Sequence, residues 1–531
     1  MAKLIIQNLR GGMADEHWQT AQTIKNARDN QFATGLIDVL SNPNLIQPTN
    51  STFTAVTNSG EIVDSASATK ILSVDDYTAT FSSIAQMYWG NKDLLHRINP
   101  NSQTLIDDTD FPHQVAPGAG AHSAHTTFLL DDLALYKINN SQRLFYFYRD
   151  NTDGDAGTFD LNTTFTADET AWSSASGGAV LNNDWPIVAE VADNGFMYVG
   201  NGNALYKFDG TAAGGANGTV TTPIDLESIW TIVDLKDYKG KMLVLAKKGT
   251  TTSNEIREFG MYIWDRTTTS LSFDDIILFD GVFAISQIFL FKNVPCIFTL
   301  ERTGNNSTIS FRIFDGYGFN IKRTLFSPSA DYELPNLKKV ATQYANTLVF
   351  MGDLGNVFCL EDPLGEARLH KVASLGLTAS DDVIGGLHSA TVGGYFYFPH
   401  QVSGGTTTMK YWAFGATTGT GAGNFYSKVY ELPKLSRIKS ITAYYQPLTS
   451  TADKNVTINL YKNMSTTAAL ASNLSINYTT DGARGWMYFP VDIENVSTIQ
   501  MLLTYPSGET VTNSLKFSRF EIEYDPTTKV K

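Results

Sequence analysis

The stretch that decides the fold runs Phe196-Met197-Tyr198-Val199-Gly200, passes through a polar turn, and continues Leu205-Tyr206-Lys207-Phe208-Asp209-Gly210. Leu205, Lys207 and Asp209 alternate with Tyr206 and Phe208, the period of two that puts successive side chains on opposite faces of a sheet. The same phrase, an apolar run, a turn and a second strand-like run, recurs seven times between about residues 85 and 415. The second runs begin near Leu94, Ala134, Ala204, Gly260, Ser310, Asn356 and Met409, and the apolar runs before them fall at 87–89, 128–130, 196–199, 242–245, 297–300, 348–351 and 395–398.

Copies spaced roughly 40 to 70 residues apart bracket the length of a four-stranded propeller blade with loop insertions. A small twisted sheet cannot bury both faces alone, whereas sheets packed radially cover one another and leave only short edges. The expectation is therefore an all-β chain with an approximately seven-bladed β-propeller. Asp-Gly pairs at 209/210, 280/281 and 315/316 supply turn chemistry between strands. Residues 53–63 are expected to complete the last blade beside the strands near Tyr411 and Phe425. The stretch 150–176, rich in Gly, Thr, Asp and Ser, reads as a protruding loop.

Three regions follow: an extended arm with one short helix at 1–50, the propeller at 51–432, and a β-sandwich or jelly-roll-like module at 433–531. The arm carries Gly11-Gly12, a polar segment at 15–28 and prolines at 43 and 48 that oppose a regular domain. Strand candidates in the last region fall at 438–445, 456–461, 486–491, 499–505 and 515–524, with polar turns between them.

The chain has 531 residues, a formal net charge of −14 and 17% charged residues, a balance that argues against a general nucleic-acid-binding surface. No apolar run is long enough to span a bilayer as a helix, and no secretory leader pattern opens the sequence. Cys296 and Cys359 sit in apolar strands of different blades and read as buried thiols rather than a disulfide.

Chemistry is sparse. His122 and His125, followed by Asp131 and Asp132, invite a metal reading, but in a strand their spacing puts the imidazoles on opposite faces. Asp150, Asp153 and Asp155 are the better cation candidates, for calcium, because carboxylates in a Gly-containing turn can wrap a hard ion. Thr152 and Gly154 break the EF-hand pattern, and the bland reading is a solvated turn. No phosphate loop, serine-nucleophile elbow, paired Cys motif or sialidase-type Asp box is present, and no carboxylate pair is marked for glycoside hydrolysis. The expectation from the sequence is that the protein is not an enzyme and carries no cofactor. Trp172 and Trp185, in or beside the 150–176 stretch, form a candidate recognition loop, whereas Trp89, Trp264, Trp412 and Trp486 read as core residues.

In the Gly-Gly of the arm, Asn-Gln-Phe-Ala at 30–33, the Leu-Tyr-Lys-Phe-Asp-Gly blades, Ile438-Lys439-Ser440-Ile441 and Pro447-Leu448, the chain resembles virion β-propeller proteins of tailed bacteriophages over nearly its whole length. The resemblance implies a structural protein of the virion tail, at a nozzle, hub, collar or tip, made in the host cytoplasm. Its implied partners are other tail proteins and further copies of itself, with no specific nucleic acid and no membrane span. The alternative is a tail protein that binds a host receptor or surface glycan; a glycan-cleaving enzyme is the third reading.

Overall fold

A computed structural model describes the strand framework. It is continuous over 184–210, 219–248, 258–268, 276–303, 306–327, 429–449, 467–506 and 513–526, and covers shorter pieces elsewhere; 7–31, 57–71, 75–85, 115–128, 169–180, 249–257, 269–275, 328–340 and 414–422 lie outside the described residues. Among the described residues every element is a strand apart from one short 3-10 turn, Gly482–Arg484.

Seven antiparallel sheets of four or five strands follow one another along the chain, at 72–114, 129–168, 187–225, 230–279, 282–327, 341–374 and 382–413. The first strands of blades two, three and four pack against one another in turn, which places them innermost. Between blades the core is apolar and aromatic. Val199, Phe208 and Met197 of blade three meet Phe145, Phe147 and Tyr136 of blade two, while Val188, Tyr198 and Leu205 on the other face meet Ile232, Val244 and Trp264 of blade four. Period-two alternation thus feeds two different cores from one sheet, which is why a blade is apolar on both faces.

Closure follows the expected route. Thr54–Ala55 pairs with Tyr411 and Lys410 as the outermost strand of blade seven, and the Val56 amide donates to the Met409 carbonyl at 2.8 Å. Phe53 stacks on Trp412 beside it, with ring centroids 6.2 Å apart. Phe425, expected at the same seam, belongs instead to the terminal sheet, where it pairs with Leu503 and Ala33.

Six of the seven repeats fall on the second and third strands of their blades; blade two differs. Leu129–Ile138 is a single innermost strand, and the second and third strands are Ser141–Arg149 and Gly154–Asp160. Part of the expected 150–176 loop is therefore sheet. The reason is complementarity of volume: Leu144 to Tyr148 are all buried, and the facing strand is small where they are large. A Cβ on Gly157 would sit 2.1 Å from the Tyr146 ring, so only glycine lets that ring cross the strand.

Bulges in the innermost strands aim carboxylates at the following blade. Asp131 and Asp132 follow the register shift at Leu130, and Asp234 follows that at Ile232. Asp132 accepts from the Ala189 amide at 2.8 Å, Asp131 from the Ile187 amide at 3.0 Å, and Asp234 from the Ile288 amide at 2.6 Å. Each joins one blade to the next through a buried charge-assisted hydrogen bond.

The terminal strands make one eight-stranded hydrogen-bonded sheet. Its main path runs Ala2–Ile6, Phe517–Asp525, Tyr430–Tyr445, Trp486–Tyr505, Gly423–Tyr426 and Phe32–Gly35, with Asn455–Lys462 and Leu474–Asn477 branching from the long Trp486–Tyr505 strand. Ile441 and Phe520 from one portion share a core with Ile458, Leu460 and Leu503 from the other, so the sheet folds over its own interior. Two separately hydrogen-bonded layers, as a sandwich would have, are not shown. The first strand and Phe32–Gly35 both lie in this sheet, so the arm is strand there; 7–31, half of the arm in which one short helix was expected, falls outside the described residues. Tyr426 and Tyr461 seat the sheet on Phe350 and Phe358 of blade six.

Candidate functional site: an aromatic face on the terminal sheet

The sequence-derived candidates that fall among the described residues belong to the blade framework. Asp150, Asp153, His122, His125 and Trp172 lie outside the described residues. Asp155 is half-buried in a strand, opposite Tyr148. Asp131 and Asp132 are buried blade-to-blade acceptors, and Asp131 also receives both the Nε and an Nη of Arg149, at 2.5 and 3.0 Å. Trp185 is half-buried against the blade-three turn: its carbonyl accepts from Asn201 Nδ2 at 2.9 Å, and its ring covers Gly202. Among the described residues no group of three or more His, Cys, Asp or Glu side chains is placed to hold a metal. Cys296 and Cys359 are buried and form no disulfide; burial pushes the Cys296 thiol up to about 12.

Trp89, Trp264 and Trp412 are core residues as expected, each 1% exposed or less. Trp486 is the correction. It stands 54% exposed, with Tyr488 at 48%, at the start of the long strand. Alternation explains it. Met487, Phe489, Val491 and Ile493 turn inward, and Trp486, Tyr488, Pro490, Asp492 and Glu494 share the outward face. The two carboxylates in that second set were the available signal, because they place Trp486 on the solvent side of the period.

Cross-strand pairing extends the face. Tyr444 lies opposite both Trp486 and Arg519, and Thr442 opposite both Tyr488 and Glu521; Ile5, 45% exposed, is opposite Glu521. The Arg519 guanidinium sits 4.2 Å from the Tyr444 ring centre, a cation-π contact that holds the ring in place. Four strands at about 4.8 Å spacing make a platform roughly 14 Å wide.

The charges around these rings neutralise one another. Lys3 bridges Glu523 at 3.1 Å and Glu521 at 3.5 Å, Arg519 meets Glu521 at 3.0 Å, and Arg437 pairs with Asp492 and, at 3.7 Å, with Glu494. Hydrogen bonds from Ser440 and Lys3 hold the Glu523 carboxyl below its usual range, and Arg437 does the same for Asp492. What the face offers a partner is flat aromatic surface inside a self-paired ionic rim. Among the described residues, 486–490 have a hydrogen-bonded neighbour on one side only.

No protein-family model matches the chain, and no curated protein matches it. Among solved structures it is similar to an exo-β-1,3-galactanase from Phanerochaete chrysosporium with β-1,3-galactotriose, at 8% identity and a TM-score of 0.32 over 90% of this chain and 100% of the other. It is likewise similar to a Trypanosoma rangeli sialidase in complex with sialic acid, at 9% identity and a TM-score of 0.34 over 85% of this chain and 95% of the other. Those proteins are glycan-processing enzymes, and the expectation that this chain is not an enzyme is withdrawn on that finding. At such identity and TM-score the likeness assigns no activity, substrate or catalytic residue to it.

Proposed function

We propose that the protein is a structural component of a tailed-phage particle, tail-associated at a nozzle, hub, collar or tip, and that it works by assembly. The observation that carries this reading is the outward face of Trp486, Tyr488 and Tyr444, an aromatic patch whose first two rings stand half-exposed to solvent, borne on a sheet braced against a closed propeller. The propeller, sealed by Thr54–Ala55, supplies a stiff body. Half-exposed aromatic rings leave about 100 Å² each to be covered, about 2.5 kcal/mol apiece at about 25 cal/mol per Å². That is the scale of an interface anchor. Neighbouring tail proteins and further copies of the chain are the partners.

Mass photometry of the purified chain across concentration tests this directly. A discrete ring-sized oligomer that Trp486→Ala with Tyr488→Ala dissolves supports assembly through the face. A monomer at every concentration that also fails to bind purified tails counts against it.

A second reading, attachment to a host-surface glycan, draws on the same rings, because an uncharged sugar stacks on aromatic faces and the rim carries little unpaired charge. Saturable binding to host cells, lost in the double variant and competed by neutral oligosaccharide, would favour it over assembly.

A further inference from the structure

We propose that the strand Ala2–Ile6 is exchanged between copies, docking on the Phe517–Asp525 edge of a neighbouring chain in the assembled particle. The inference rests on the assembly reading and adds a second contact between copies to the aromatic face.

Three observations carry it. First, the strand is a self-contained plug. It pairs in register with Tyr524 through Phe520 and, among the described residues, with no other strand, sends Ile6 into the terminal core at 1% exposure with Leu4 packed beside it, and pins Lys3 to Glu521 and Glu523 outside. All of these contacts are with the terminal sheet, so a copy supplied by a second chain would make them unchanged.

Second, Ala2–Ile6 and Phe32–Gly35 close opposite ends of the main strand path of one sheet. Five inter-strand steps separate them, about 24 Å along the sheet at about 4.8 Å per step. The intervening residues, 7–31, can extend to about 85 Å at about 3.4 Å each. Chain length therefore permits the strand to leave its own sheet and reach an adjacent one.

Third, the acceptor is a sheet edge. Without the first strand, Phe517–Asp525 would present a row of unpaired backbone groups beside an open apolar slot left by Leu4 and Ile6, the surface on which a second chain adds a strand. Because the same contacts form within or between chains, the choice falls to effective concentration. Neighbours held together in a closed ring supply a high one. Each copy then gives one strand and receives one, a head-to-tail contact that closes around the ring.

The test is a paired-cysteine cross-link in the full chain. Lys3 and Glu523 face each other in register, at a Cα separation that antiparallel pairing holds within disulfide range. The native thiols, Cys296 and Cys359, are buried, which keeps background coupling low. K3C with E523C is oxidised at a concentration where the native mass is oligomeric, then denatured and run without reductant; I5C with E521C repeats the measurement on a second facing pair. Exchange gives a covalent ladder of dimers and larger species, absent from the single-cysteine controls and collapsed by reductant. A closed monomer of altered mobility with no ladder, in either pair, overturns the proposal. The native mass of the same samples separates the two failures. An oligomer whose links are all within chains refutes exchange and leaves assembly standing, whereas a monomer at every concentration refutes exchange and counts against assembly as well.

Discussion

Acidification should loosen the first blade through a single histidine. His96 is 3% exposed, stacks on the Trp89 indole at 5.1 Å between ring centres, and has no hydrogen-bond partner at either ring nitrogen among the described residues. Trp89 itself packs in a core with Met87, Ile98, Leu105, Tyr397 and Met409, and the adjacent Arg97 is directed to Phe111, 4.7 Å from its ring centre. Burial alone lowers its pKa from 6.5 to about 4. The folded state thus resists protonation more than the unfolded one. Stability is fully present above about pH 6.5 and is lost as pH falls toward 4, by up to about 1.4 kcal/mol per pH unit and about 3 kcal/mol in total. His96→Phe keeps an aromatic ring against Trp89 and removes the titration. Denaturant unfolding of both proteins at half-unit steps from pH 7 to pH 4, followed by tryptophan fluorescence, gives the difference directly, since every other acid and base is shared. Wild type should lose about 3 kcal/mol more than the variant across that window. A difference that stays flat between pH 6.5 and 4 would refute the reasoning, because it would mean that the imidazole titrates alike in both states.

Three other outcomes are expected. Gly157→Ala forces a methyl into the Tyr146 ring, 2.1 Å from its Oη, and should cost at least 1–3 kcal/mol in denaturant unfolding, with the loss relieved by pairing it with Tyr146→Ala. Asp234→Ala leaves the buried Ile288 amide without its 2.6 Å acceptor and should cost about 1–3 kcal/mol, visible as faster hydrogen exchange at the seam between blades four and five before global unfolding. Trp486→Ala with Tyr488→Ala should change stability by less than about 1 kcal/mol, since both rings already face water, while abolishing whichever association the face supports; a large drop in melting temperature would show that the rings are core instead.

The repeat was readable because each blade must be apolar on both faces, so the phrase around Met197–Asn201 and Ala204–Asp209 survives in local composition. Closure by Thr54–Ala55 was readable for a related reason: a circular sheet array needs one strand from the far end of the chain. Blade two escaped that reading. Its third strand, Gly154–Asp160, has little apolar content, and its strand character comes from the aromatic ladder it faces. Trp486 was misread for the opposite reason, an aromatic residue in a strand being core in most contexts. The outward set it belongs to is marked by Asp492 and Glu494, which share its period along the strand.

By itself, then, the sequence determined the local periods and the seven-fold recurrence, because these depend on alternation and on residues near in the chain, and the strand that shuts the ring, because a circular array calls for one from its other end. The tertiary structure alone decided that Asp131, Asp132 and Asp234 serve the next blade, that Tyr444 and Arg519 meet beside Trp486, and that residues 2–6 and 517–525 lie side by side. Those facts join residues tens to hundreds of positions apart. No short-range pattern encodes such a meeting; it comes from the packing of whole sheets.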